Sequence, residues 1–385
     1  MRRADLSRLV LDREWLEQLD SVAERLGLAL APAKLAAELR ALSDAYNSGD
    51  FARSRTRGAL SARLLFSFAR DVPKMGAAVR ELLATGALAL PADRPLRVLD
   101  VGAGLGASTW GLARALAGAG QRGEIHATLV DEDATALGVA RAIGERRGRE
   151  GEVRVRLEVG GSDRGRFDVI LLGQVLSEMA GDDAAHALRL QRWLDGSLEP
   201  DGSLVIVEPA LRERTRKLHR VRDLAVAAGV TVFAPCLHAA PCPALADRDA
   251  WCHEDLPIDL PRDLAGLARG AGLRWQGLTF AYLVLRKDGR TLRSAIPGAA
   301  AVRVVSSPID TKGKRELFLC GDFARGDGLV PLRRKIARLD RDSARKGEPD
   351  AWRDAGRGDL IVCEPPLEAD APRATKEVSL SPPPF

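Results

Sequence analysis

Apolar residues recur at three- and four-residue spacing through 11–26 (LDREWLEQLDSVAERL) and 32–46 (PAKLAAELRALSDAY). That period predicts amphipathic helices. A further helical stretch, ALSARLLFSFARDVPKMGAAVRELLATG (59–86), follows the basic run Arg53-Ser-Arg55-Thr-Arg57, and Gly86 and Pro91 close it. From residue 95 short apolar runs alternate with helical patterns. The strands predicted are LRVLDVG, EIHATLVDED, VRVRLEV, FDVILLGQVL and GSLVIVEPA, and the helices are STWGLARALAGA, TALGVARAIGERRG and AAHALRLQRWLDGSL. Alternation of this kind implies a parallel sheet with helices on both faces. Farther on, LRWQGLTFAYLVLRK and AVRVVSSPIDTKGKRELFLCG read as antiparallel strands.

The expected fold class is therefore α/β. A Rossmann-like sheet lies between an N-terminal helical region and a C-terminal β-rich region bearing a cysteine cluster. The boundaries read from the pattern are 1–92 helical, 93–230 cofactor-binding, 231–363 cysteine cluster and basic strands, and 364–385 a disordered tail rich in Pro and charge.

Composition narrows the class without naming a function. The 385 residues are 46% hydrophobic and 29% charged, with a formal net charge of +5. The excess is uneven: Arg286 to Lys346 holds sixteen Lys/Arg against seven Asp/Glu. An anionic partner fits that balance, as does a solvated surface. No apolar run approaches the ~20 residues needed to span a bilayer, and MRRADLSRLV lacks a secretory apolar stretch. The expectation is a cytoplasmic monomer away from membranes, where clustered cysteines act as metal ligands more often than as disulfides.

Candidate chemistry lies in two places. In VLDVGAGLGAS, Gly102, Gly104 and Gly106 fall between a strand and a helix, where the backbone turns sharply and comes close to a ligand. Asp100 precedes the turn, and Asp131 ends the next strand, where a carboxylate can accept both ribose hydroxyls. The order D-x-G-x-G-x-G followed by a strand ending in an acid resembles class I S-adenosylmethionine (SAM)-dependent methyltransferases. By that resemblance the three glycines cradle the amino-acid part of SAM and Asp131 holds the ribose. Asp163 or Ser162 falls near the adenine, with Gln174 and Glu178 near the methyl group. The chain shows no N/D-P-P-Y/F motif, and no catalytic base stands out.

Cys236, Cys242, Cys252 and Cys320 form the second constellation. Four thiolates can bind Zn²⁺ tetrahedrally or hold a [4Fe–4S] cluster. Wide irregular spacing with Pro235, Pro241 and Pro243 beside the ligands suits the larger cluster. His238 and His253 could replace a cysteine on zinc, and small buried hydrophobes are the plain alternative. Cys363 stands apart.

The run LVIVEP, APCLHAAPCP, WCH and then RVVSSP with LFLC resembles the mitochondrial small-ribosomal-subunit assembly methyltransferase-like family, which has bacterial members. The segments ARLLFSFARDVPKMGAAVRELL and VLSEM resemble it as well. The resemblance implies a SAM-type domain, a four-cysteine iron–sulfur cluster and association with small-subunit ribosomal RNA. Carried over by position, the ligands are Cys236, Cys242, Cys252 and Cys320. Leu237 stands where the family more often has Pro. Arg53, Arg55, Arg57 and Arg63, with the C-terminal basic strands, would hold RNA phosphates by charge. Two alternatives remain: an assembly factor that binds SAM and RNA without catalysis, and a small-molecule methyltransferase with a structural zinc site.

Overall fold

The computed structural model describes residues 8–50, 52–344 and 348–384. The chain divides into two compact units, residues 1–181, 192–208 and 256–279 forming the first, and 182–191, 209–255 and 280–385 the second.

The first unit begins with helices α1 (Arg13–Arg25) and α2 (Pro32–Ser48). Asp12 caps α1 by accepting from the Trp15 amide, and Pro32 and the left-handed Gly49 bound α2. The helical stretch expected over 59–86 is broken into short pieces. It runs as α3 (Arg57–Ala62), a π turn (Arg63–Ser67), α4 (Phe68–Ala78) and α5 (Arg80–Ala84). Pro73 lies inside α4. Trp15 is fully buried, and its Nε1 donates to Glu150 at 2.6 Å, which also takes Arg114 Nη1 at 2.5 Å.

The sheet of this unit contains β1 (Leu96–Val101), β2 (Gly123–Val130), β3 (Arg149–Glu150), β4 (Val153–Val159), β5 (Phe167–Gly173) and β6 (Leu198–Pro209), in the order β3-β4-β2-β1-β5-β6. All neighbours are parallel except the short β3 against β4. Almost every residue of β1 and β5 is buried, the composition a sheet covered on both faces requires. Successive strands run outward from β1 on one side and return as β5 and β6 on the other. The order therefore reverses beside β1, and in such Rossmann-like sheets ligands bind beyond the carboxyl end at that point. Helices α6 (Ala107–Gly118) and α7 (Ala134–Arg147) connect the strands. Helix α6 approaches α4 so closely that a Cβ on Gly111 would lie 2.4 Å from the Val72 carbonyl oxygen.

Helices α8 (Asp183–Gly196) and α9 (Arg212–Ala227) follow, then β7 (Thr231–Ala234), β8 (Glu254–Asp259), α10 (Arg262–Gly270) and β9 (Gln276–Arg286). In the second unit β7 pairs antiparallel with β9. A six-stranded sheet comes from β10 (Ala300–Val304), β11 (Ile309–Thr311), β12 (Lys314–Arg325), β13 (Gly328–Leu339), β14 (Leu360–Glu364) and β15 (Ser379–Ser381). Its long arm is the β12–β13 hairpin, closed by Gly326-Asp327 with Gly326 left-handed at φ 58°. Val302, Leu317, Leu319, Phe323, Trp352 and Cys363 pack as its core.

One expectation is corrected here. The tail from Glu364 was read as disordered, yet β15 pairs with β14, and Leu367, Ala369 and Ala374 are buried in the core of the sheet. Backbone bonds from Ala324 to Leu367 and from Ala374 to Ala337 stitch this segment onto the hairpin. Three well-placed apolar side chains outweigh the Pro-rich, charged composition around them. Among the described residues no helix is long and apolar enough to cross a membrane.

Candidate cofactor turn and cysteine cavity

In the first unit the glycine-rich turn leaves β1 at the point of strand-order reversal. Gly102, Gly104 and Gly106 are left-handed, with φ of 64°, 53° and 82°. A Cβ on Gly102 would lie 2.2 Å from Val175 Cγ2, and one on Gly104 2.7 Å from Arg63 Nη2. Backbone conformation favours glycine at all three positions, and at Gly102 Val175 also leaves no room for a Cβ. The amides of Gly102 and Ala103 donate to the Val130 carbonyl at 2.8 and 3.1 Å.

The two predicted acids have different surroundings. Asp131 is half-buried; its Oδ2 accepts from the Gly104 amide at 2.7 Å and its Oδ1 from the Asp133 amide at 2.8 Å. Each oxygen retains a lone pair, so a diol can still be bound. Asp100 lies beneath the turn at 0% exposure, with Oδ2 accepting from the Thr109 amide (3.1 Å) and hydroxyl (2.8 Å) and Oδ1 unpartnered. Burial pushes its carboxyl up to about 7, against the pull of the Thr109 bonds. Asp100 thus latches the end of β1 to the first turn of α6.

Gln174 closes the end of β5. It is the one non-glycine residue with positive φ (61°) among the described residues, and its amide donates to the Val207 carbonyl at 2.6 Å. A left-handed glutamine costs energy that glycine would not, and such strain concentrates at ligand sites. Ser162 and Asp163 are exposed on the loop after β4.

Sequence reasoning placed Arg63 among phosphate-binding arginines; the structure places it at the turn. Its Nη1 lies 3.2 Å from Asp133 Oδ2, with the two side chains only 17% and 13% exposed. The others have intramolecular partners: Arg53 with Asp50, Arg55 with Glu132, and Arg57 with the Gly27 carbonyl. No spacing rule distinguishes Arg63 from its neighbours. The π turn that aims it is a tertiary outcome.

In the second unit Cys236, Cys242, Cys252 and Cys320 line one cavity of ≈ 50 Å³. Cys236 follows β7, Cys242 precedes a single 3₁₀ turn, Cys252 precedes β8, and Cys320 lies within β12. In register, Cys320 is flanked by Arg303 on β10 and Arg333 on β13, which also line the cavity. Burial, and after it the charge of neighbouring thiolates, pushes Cys242 and Cys252 up to about 12 and Cys320 well above its ordinary value. Burial also holds His238 down to about 4, and its Nε2 lies 3.7 Å from Cys320 Sγ.

Arg222, on α9 and 2% exposed, organises the loop between the first two cysteines. Its guanidinium donates to the carbonyls of Ala240 (2.5 Å) and His238 and to Asp223 (2.6 Å), while Asp223 accepts the Cys242 amide at 2.9 Å. From β10, Arg303 donates to the Pro235 carbonyl at 2.7 Å. Cys363 is elsewhere, inside the sheet core.

The fit to a metal is mixed. Among the described residues no three His, Cys, Asp or Glu side chains converge as a single ion requires. The metal-bearing character expected of this region, zinc included, therefore gains no support from side-chain convergence. The structure does bring the four thiols around one space, with Arg222, Arg303 and Arg333 at its wall.

A family model described as "Mitochondrial small ribosomal subunit Rsm22" matches residues 64–336. No curated protein matches the chain. Among solved structures, one described as a class I S-adenosylmethionine-dependent methyltransferase from Listeria monocytogenes aligns at TM-score 0.37 and 14% identity, over 71% of this chain and 86% of that one. A SAM-dependent methyltransferase from Leishmania major aligns at TM-score 0.33 and 16% identity, over 66% and 82%. The plantazolicin methyltransferase BamL aligns at 0.34 and 12%, over 66% and 98%.

Proposed function

We propose, from the premise that the chain belongs to the mitochondrial small ribosomal subunit Rsm22 family, that it binds SAM and acts on the RNA of the small ribosomal subunit. The observation that carries the cofactor half is the bond from the Gly104 amide to Asp131. It fixes a glycine-lined cradle and a ribose acceptor in one frame at the switch point of the sheet. The family supplies the ribosomal half.

Bound SAM would supply an activated methyl group on a sulfonium. The protein's share is alignment, because the leaving group is already excellent. Gly102, Gly104 and Gly106 would admit the amino-acid portion, Asp131 would orient the ribose, and Gln174 would border the transferable end. Cys236, Cys242, Cys252 and Cys320 would hold a [4Fe–4S] cluster, which would tie the 236–252 segment to β12. A single zinc ion on the same four thiols is the alternative.

A second reading is SAM binding without methyl transfer, and the sequence after β5 argues only against transfer to an amino group. The segment leaving β5 is Gln174-Val-Leu-Ser-Glu178-Met, not an amino-methylating N/D-P-P-Y/F. One experiment addresses both. Labelled SAM is incubated with the purified protein and small-subunit RNA, with calorimetric binding of S-adenosylhomocysteine in parallel. Label in RNA, lost in Asp131→Ala, supports the enzyme. Binding without label supports the assembly factor, and no binding overturns the cofactor reading.

A further inference from the structure

Arg63 sits between the glycine-rich turn and Asp133. It opens the π turn between α3 and α4, and such insertions redirect side chains and cluster at functional sites. Its guanidinium is largely buried, and Asp133 Oδ2 at 3.2 Å is its hydrogen-bond partner. Asp133 is itself committed: its Oδ1 caps α7 by accepting the amides of Thr135 and Ala136 at 3.1 and 3.0 Å. The second terminal nitrogen of Arg63 lies 2.7 Å from where a Gly104 Cβ would stand, so it covers the open face of the turn.

We infer that Arg63 is a binding residue for the carboxylate of the cofactor's amino-acid portion. This rests on the SAM reading above and specifies which end of the ligand lies where. The Asp131 side chain offers acceptor oxygens, which suit a diol and not a carboxylate. SAM carries one carboxylate, and the Arg63 guanidinium stands against Gly104, the middle glycine of the turn that would receive that portion. A planar guanidinium pairs with carboxylate through two parallel N–H bonds, and partial burial strengthens them. Asp133 keeps the arginine oriented toward the turn before a ligand arrives.

The test compares two ligands that differ at this group. S-adenosylhomocysteine has the carboxylate, and 5′-methylthioadenosine lacks the whole amino-acid end. Calorimetry on the full chain measures both against wild type, Arg63→Met and Arg63→Lys. Arg63→Met should weaken S-adenosylhomocysteine by about 10- to 100-fold, the range for losing a charge-assisted pair, and leave 5′-methylthioadenosine within about twofold. Arg63→Lys should recover part of the loss, which guards against misfolding as the explanation. Parallel weakening of both ligands, or an unchanged affinity for S-adenosylhomocysteine, overturns the assignment while the cofactor reading stands. If wild type binds neither ligand, both fall together.

Discussion

Asp131 and Gly104, twenty-seven positions apart, are joined by a 2.7 Å hydrogen bond from the glycine amide to the carboxylate. The bond locks the acid at the end of β2 to the middle of the turn after β1. Asp131→Ala should therefore weaken S-adenosylhomocysteine at least about tenfold, through the lost ribose contact and a loosened turn. Asp131→Asn, which keeps acceptor capacity, should lose less. Equal affinities across the three proteins would remove Asp131 from the site.

Asp100 makes the stability of the first unit depend on pH. Its folded carboxyl is raised to about 7 from an ordinary 3.8 by burial, so the folded chain binds more protons than the unfolded chain between those values. Stability is fully present below the unfolded value and falls as pH rises through about 4 to 7, by about 4 kcal/mol at most. Thermal melts at pH 5 and pH 8 should differ less in Asp100→Asn than in wild type. An identical difference in both would show that another group carries the dependence.

Gly111→Ala should destabilise the protein by about 1–3 kcal/mol, although alanine favours helices. The new methyl would stand 2.4 Å from the Val72 carbonyl oxygen, a backbone atom that cannot step aside alone. Chemical denaturation followed by circular dichroism measures this, and a stabilised variant would mean that α4 and α6 are farther apart than described.

Anaerobically purified protein should carry iron and acid-labile sulfide in equal amounts, about four of each per chain. Both should drop sharply in Cys242→Ser. Arg222→Met should lower cluster retention without removing a ligand, because Arg222 and Asp223 hold the loop between Cys236 and Cys242. Metal-free protein, or one zinc per chain, would sink the cluster proposal.

Limited proteolysis offers a check on the same link. Loss of Cys320 should open the β12–β13 arm to cleavage before the parallel sheet is cut, since that thiol is the cysteine that the hairpin contributes to the cavity. Cleavage confined to residues before 90 would contradict it.

Much was legible along the chain because it depends on neighbours in sequence. The apolar alternation set out the parallel strands. The order Asp100, Gly102, Gly104, Gly106 and Asp131 marked a turn whose conformations glycine alone tolerates. The four cysteines of the cavity were likewise identified by residue type and spacing.

Other features came from contacts between distant segments, which spacing cannot encode. Arg63 looked like one more basic residue until the π turn aimed it at Gly104 and Asp133. The tail looked disordered until Leu367, Ala369 and Ala374 found the hairpin to pack against. In the sequence Asp100 only precedes the turn; its burial at 0% exposure and its bond from the Thr109 hydroxyl are set by packing. Local pattern determined which backbone shapes the chain could adopt, because sterics and periodicity act over a few residues. Which side chains meet, and with what charge and burial, was decided only when the packed layers brought remote residues within bonding distance.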